Sequence, residues 1–204
     1  MPQGQVRLIR ASDARRVPWK NGRGETHELL LWPEGTSFER GDFDWRVSAA
    51  RVESDGPFST FAGFDRTLVI TAGPGLILDH GQDAPRARVR ALEPYRFSGD
   101  WNTGAKLVGG PVSDFNVMTR RGEFRAEVLA AGLGVRTLRE QLGARFAVVH
   151  SLGGELGLRI SGEEDGLMLE AGDSVLLAEF GAADEIEIVG RSPASAVILA
   201  RLES

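Results

Sequence analysis

Cysteine is absent from the 204 residues, which excludes a disulfide framework, a thiolate metal site and a cysteine nucleophile. Histidine is scarce. His27, His80 and His150 stand alone, with no His-x-His or Glu-x-x-His neighbour, so the cluster of imidazoles and carboxylate that transition metals favour has no local seed. The chemistry is therefore expected to use no metal and no cofactor. Long apolar runs are missing too: nothing could span a bilayer, and the first nineteen residues contain Arg7, Arg10, Arg15 and Arg16 instead of a signal-peptide core. A cytoplasmic protein without membrane association is expected. There is no excess of positive charge either. The net charge is -5 and the arginines are scattered, which disfavours direct nucleic-acid binding.

What is present is an ordinary globular balance, 42% hydrophobic and 26% charged, with 26 glycines and 9 prolines. That many turn formers suit short strands better than long helices. Strand-like alternation or short β-rich runs occur at 27–32, 44–52, 67–71, 76–79, 115–119, 146–150, 156–160, 174–178, 185–189 and 196–202. Only Val135–Gly143, through Val135, Leu138 and Leu142, hints at a helix. The stretch from Arg66 to Leu78 lies over Phe146 to Leu158 as strand, glycine turn and strand, about eighty residues apart. The expectation is an all-β bicupin, two cupin-like jelly-roll β-barrels packed in one body. Residues 1–122 would form an N-terminal segment and the first barrel. Residues 123–204 would form the second, completed by N-terminal strands.

Several clusters could carry chemistry. In Asp44–Ala50, alternation puts Arg46, Ser48 and Ala50 on one face. An arginine beside small residues either marks an exposed edge or lines a cavity, where its two-pronged donor geometry matches a carboxylate. Asp114, Asn116, Met118 and Arg120 share a face in the same way, a pattern that fits a pocket wall. Trp19-Lys20-Asn21-Gly22-Arg23-Gly24 lacks the spacing of a phosphate loop; it is a structural loop, or one in which Trp19 covers a cavity that Lys20 or Asn21 enters. Phe58, Phe61 and Phe64 form an aromatic loop before Asp65 and Arg66, which could pair with each other or with Asp114 and Arg120. His80 reads as a turn residue beside Gly81, and His150, ending an apolar strand, as a core histidine.

As an ordered set these residues resemble the HutD/Ves family of bicupin-like proteins. The match is carried by Trp19-Lys20-Asn21-Gly22 with Gly24 and Thr26, Asp44-Trp45-Arg46 with Ser48, and Asp55-Gly56-Pro57-Phe58-Ser59 with Phe61, Gly63, Asp65 and Arg66. It continues through Phe97, Gly99-Asp100, Gly110-Pro111, Asp114-Phe115-Asn116, Met118 and Arg120-Arg121, about two thirds of the chain. Arg23 departs from a loop that usually runs Asn-Gly-Gly-Gly. The resemblance implies a two-barrel fold and an anionic-metabolite pocket lined by Arg46, Ser48, Arg66, Asp114, Asn116 and Arg120. HutD proteins resemble accessory proteins of histidine utilisation that sense an intermediate such as urocanate or formylglutamate, and Ves proteins are described as stress-induced.

Two functions from different classes follow. One is a metal-free binding protein that senses or buffers a small carboxylate, with Arg46 as anchor and Asp114 and Asn116 as orienting partners. The other is a cofactor-free isomerase, epimerase or hydrolase in which Asp114 or His27 moves a proton beside an arginine. A purely partner-binding protein is the third class, and a C2 homodimer is the expected form of self-association.

Overall fold

The computed structural model describes residues 4–19, 24–160, 166–181 and 183–204; Lys20 and Asn21 lie outside these. In chain order the strands are β1 (Gln5–Ile9), β2 (Arg15–Pro18), β3 (Gly24–Trp32), β4 (Trp45–Val52), β5 (Gly56–Pro57), β6 (Phe64–Ala72), β7 (Leu76–Asp79), β8 (Ala87–Val89), β9 (Tyr95–Ser98) and β10 (Gly104–Leu107). They continue as β11 (Val112–Arg120), β12 (Arg125–Gly132), β13 (Thr137–Gln141), β14 (Phe146–Gly153), β15 (Leu156–Ile160), β16 (Leu167–Leu169), β17 (Ser174–Ala178), β18 (Glu185–Gly190) and β19 (Ala196–Glu203). Among the described residues the one helical element is the 3-10 turn Ala11–Asp13. The segment that hinted at a helix is instead β13, paired with β18. Val135 is 73% exposed and burial alternates along β13, so no continuous apolar helical stripe exists there.

The chain forms two compact units, Ala14–Arg125 and Met1–Asp13 with Ala126–Ser204. In Ala14–Arg125 a six-stranded sheet, β2-β3-β4-β11-β6-β9, accompanies a four-stranded one, β5-β10-β7-β8. Val52, Leu68, Ile70, Phe97 and Val112 from the first meet Leu76, Leu78, Val89 and Ala105 from the second in one core. The other unit repeats the plan with β1-β17-β14-β19-β12 and β13-β18-β15-β16, around a core that includes Ala147, Val149, Leu156, Leu158, Val197 and Leu199. The sheets are open ladders rather than closed barrels. Each apolar face is covered by the opposing sheet, so burial does not require one sheet to close on itself.

Eight strands of each unit keep the same neighbours: β4-β11-β6-β9 corresponds to β12-β19-β14-β17, and β5-β10-β7-β8 to β13-β18-β15-β16. The sequence overlay holds at β7 and β15, where Leu76 and Leu78 match Leu156 and Leu158 as core residues. One strand earlier it is a residue out. A register shift follows Ser113/Asp114 opposite Ala72 and Ile70, and an equivalent one lies where Gly153 and Ser151 oppose Ala196 and Val197. Aligning these shifts matches Arg66 to Ala147, not to Phe146, and Asp114 and Asn116 to Val197 and Leu199. A slip of one residue reverses every side chain of a strand, and the shorter turn after β14 absorbs the difference.

Candidate functional site

The interior face of the six-stranded sheet is apolar at one end and polar at the other. Across the ladder Ser48 opposes Asn116, Arg46 opposes Met118 and Ala50 opposes Asp114, while Arg66 opposes Met118 and Leu68 opposes Asn116. Directly opposed residues share a face. Four predicted positions, Arg46, Ser48, Asp114 and Asn116, are thus brought together with a fifth, Arg66. β4 is not an edge, because β3 and β11 flank it. The exposed-edge alternative for Arg46 therefore fails.

Every polar side chain of the cluster has at least one defined partner. Arg46 Nε donates to Glu28 Oε2 at 3.0 Å and its Nη1 to Ser48 Oγ at 3.1 Å, with the guanidinium 4.3 Å over the Phe38 ring. Arg66 Nη2 donates to Asn116 Oδ1 at 3.2 Å and Nη1 to the Ser59 carbonyl at 3.2 Å. The amide of Asn116 in turn donates to Asp114 Oδ1. Phe97, Phe58 and Phe61 lie 5.0, 5.2 and 5.4 Å from the Arg66 guanidinium carbon. Its Nε is buried without a hydrogen-bond partner. Such an orphan is rare in a folded protein and marks a donor to be explained.

The surroundings tune the charges. Burial pushes the Asp114 carboxyl up to about 7, against the pull of the Arg66 charge. Burial likewise lowers Arg66 to about 10; Asp114 opposes this and the neighbouring charge of Arg46 adds to it. Arg46 is lowered by burial and held up by Glu28. Asp114 is 1% exposed, whereas Arg46, Arg66 and Asn116 each keep 7%, so the cluster is buried but reached from solvent at its arginine end.

Because the folded protein holds the Asp114 proton more tightly than the unfolded chain, folding is linked to proton uptake between about pH 4 and pH 7, and stability falls as pH rises through that window. With the carboxyl at about 7, Asp114 should remove about 2–3 kcal/mol of stability between pH 5 and pH 8. Asp114→Asn is expected to lose that component. Urea denaturation of both proteins at the two pH values checks it, and identical pH slopes would contradict it.

The connections explain the remaining motif residues. Asp100 accepts from the Gly63 amide at 2.7 Å, and Arg121 bridges Asp65 at 3.0 Å and Asp100 at 2.7 Å. These contacts hold the phenylalanine loop over Arg66. Gly99 is required there, since a Cβ would sit 2.6 Å from the Phe61 carbonyl oxygen and 2.8 Å from that of Phe64. Asp65 pairs with Arg96 and Arg121, not with Arg66 or Arg120. Arg120 bonds Asp44 at 3.3 Å and the Gly41 and Phe43 carbonyls at 2.9 and 2.6 Å. It positions the β3–β4 connection, which carries Phe38, and makes no hydrogen bond to the Arg66–Asn116–Asp114 chain. Trp19 Nε1 donates to Thr26 Oγ1 at 2.9 Å, and its ring packs against the apolar end of the core.

Glu28 was not among the sequence candidates. Its signal was available, because Thr26 and Glu28 alternate with His27 along β3, but a glutamate at the polar end of a strand that also holds Glu25 carries no mark of burial. His27 opposes Ala49, on the other face from Ser48, and contacts Glu25 at 3.1 Å. It does not face the cluster. His80 opens the turn at Gly81, its carbonyl accepting from the Asp83 amide, and is fully buried: Nδ1 meets Thr103 Oγ1 at 2.9 Å and Nε2 the Tyr95 hydroxyl at 3.0 Å. His150 is a core histidine whose Nδ1 meets Ser174 Oγ at 2.8 Å, with its pKa lowered by burial to about 4. Among the described residues no three His, Asp or Glu side chains gather as a metal site would require, and no helix is long and apolar enough to cross a membrane.

In the other unit the positions equivalent to Arg66, Asp114 and Asn116 are Ala147, Val197 and Leu199, all inside its apolar core. That interior keeps polar groups elsewhere on the same face: Arg201, opposite Ala147, is buried and bonds Glu140 and the Gln141 carbonyl, and Ser151, opposite Val197, is buried.

These features define a cupin-like all-β protein with a buried arginine–carboxyl cluster in one of its two units. The HutD family model matches residues 11–193, and the chain belongs to the HutD family. It is 38% identical over 125 residues to an uncharacterized 21.2 kDa protein in the hutC 3' region of Pseudomonas putida, covering 61% of this chain and 63% of that protein's length. Protein Ves of Citrobacter koseri is 34% identical over 140 residues, 67% of this chain and 71% of Ves. Among solved structures, a conserved protein of unknown function from Pseudomonas aeruginosa PAO1 superposes with a TM-score of 0.86 at 28% identity, covering 98% of this chain and 100% of the other. HutD from Pseudomonas fluorescens SBW25 does so with a TM-score of 0.76 at 28% identity, covering 98% of each. YhhW from Escherichia coli, at 11% identity and a TM-score of 0.65, shares the fold alone over 97% of each chain.

Proposed function

We propose that this protein is a metal-free binding protein for a small anionic metabolite, of the urocanate or formylglutamate class, which it senses or buffers in histidine utilisation. The observation that carries the reading is the buried Arg66 Nε with no partner, beside a second buried guanidinium, that of Arg46. A carboxylate supplies the acceptor that Nε lacks, and a charge-assisted bond in a dry site is among the stronger polar contacts. Three phenyl rings around Arg66 suit a ligand with a flat apolar body. The relatives named for HutD and for the hutC region support the pathway. The matching strand orders of the two units support a bicupin, in which one unit keeps the ligand site and the other has Ala147, Val197 and Leu199 at the positions of Arg66, Asp114 and Asn116.

A thermal-shift screen against urocanate, formylglutamate, histidine and glutamate tests this. A ligand bound only by the native state adds about 2.7 kcal/mol at a hundredfold excess over Kd. A shift with one of these carboxylates, weakened by Arg46→Ala, is the expected result, and no shift with any of them contradicts the reading. A second reading, a cofactor-free proton-transfer enzyme, is favoured by the Asp114 carboxyl at about 7, a value suited to general acid–base work near neutrality. It predicts deuterium incorporation from heavy water into the bound carboxylate, followed by proton NMR, and loss of that exchange in Asp114→Asn.

A further inference from the structure

We propose that the cluster takes its anion up together with one proton, which goes to Asp114, and that its ligand is therefore a monocarboxylate rather than a dicarboxylate or a phosphate. This rests on the binding reading above and adds the ligand's charge class and its pH control. The groups facing the site are two guanidiniums, Arg46 on β4 and Arg66 on β6, and two carboxyl groups, Glu28 on β3 and Asp114 on β11. Glu39, in the β3–β4 connection, also attracts Arg46. The flanking Phe58, Phe61 and Phe97 carry no charge. With all four groups ionised the cluster is neutral.

An arriving carboxylate then leaves one uncompensated negative charge in a desolvated interior, which is strongly unfavourable. Asp114 is the group placed to remove it. It is 1% exposed, accepts a hydrogen bond from the Asn116 amide, and among the described residues has no guanidinium hydrogen-bonded to it, whereas Glu28 holds Arg46 directly. Asn116 links the two ends, accepting from Arg66 and donating to Asp114. One added anion and one added proton restore neutrality. A dianion would remain uncompensated even after the proton is bound.

The probes are urocanate, a monocarboxylate, and formylglutamate, a dicarboxylate, titrated calorimetrically into the whole protein between pH 6 and pH 9 in two buffers of different ionisation enthalpy. Urocanate is expected to bind with uptake of close to one proton at pH 8, its affinity falling about tenfold per pH unit above the carboxyl's titration. Formylglutamate is expected to bind at least about tenfold more weakly. In Asp114→Asn, a neutral isostere, the uptake should vanish and urocanate affinity should change by less than about twofold over the same range. Binding without uptake, uptake that persists in Asp114→Asn, or preference for formylglutamate overturns the coupling and leaves the binding reading standing. Heat from neither probe overturns both.

Discussion

Arg66→Met is expected to lower stability by about 3–5 kcal/mol at pH 8, by clearly less at pH 5, and to weaken carboxylate binding at least about a hundredfold. Arg66 is the positive charge that opposes the burial of Asp114. Without it the carboxylate is buried next to neutral and aromatic groups, and at pH 8 the protein must either hold that charge or protonate it. At pH 5 Asp114 already carries a proton, so less is lost. The double variant Arg66→Met with Asp114→Asn separates the two roles. Its stability at pH 8 should return most of the way to the wild-type value, because no uncompensated charge remains, while binding stays lost because the donor is gone. Urea denaturation at both pH values and titration with the carboxylate found in the screen provide the readouts. An Arg66→Met protein as stable at pH 8 as at pH 5, relative to wild type, would show that Arg66 and Asp114 are not coupled.

Leu199→Asn should destabilise by about 4 kcal/mol and create no binding site. Leu199 occupies in its unit the place that Asn116 holds in the other, yet its neighbours are Val149, Ala147 and Val197. An amide there loses the burial of a large side chain, and the guanidinium on its own face, that of Arg201, is already bonded to Glu140 and the Gln141 carbonyl. Asn116, by contrast, is satisfied on both sides by Arg66 and Asp114. The same side chain at the same point of a repeated fold is thus expected to be structural damage in one unit and part of a working cluster in the other. Comparing the denaturation midpoints of Leu199→Asn and Leu199→Ala checks this. An asparagine tolerated better than alanine would mean that water or an unrecognised polar group reaches this core.

Much of this protein is legible in its residues alone. The many glycines and prolines and the strand-like alternation point directly to an all-β globular chain. The ten strand segments read from alternation all fall on strands, with Asp44 alone one residue outside β4. Short strands such as β5, β8 and β16, of two or three residues, escape notice because they contain too few residues to show a period. Alternation also puts Arg46 with Ser48 on one face, and Asp114 with Asn116 and Arg120 on one face, since the side-chain period of a strand is a local property.

What local pattern does not contain is which face is inside and which strands meet. The antiparallel ladder brings β4, β6 and β11 side by side, and that pairing assembles Arg46, Arg66, Asp114 and Asn116 although up to 70 residues separate them in the chain. It also brings in Glu28, while loop contacts draw Arg120 away to Asp44. The one-residue slip in the repeat belongs to the same class of information, because a bulge is visible only when two strands are paired. Burial decides the chemistry. An aspartate in the sequence is an ordinary acid, and it becomes a carboxyl that titrates near neutrality because the fold removes its water and leaves one guanidinium nearby.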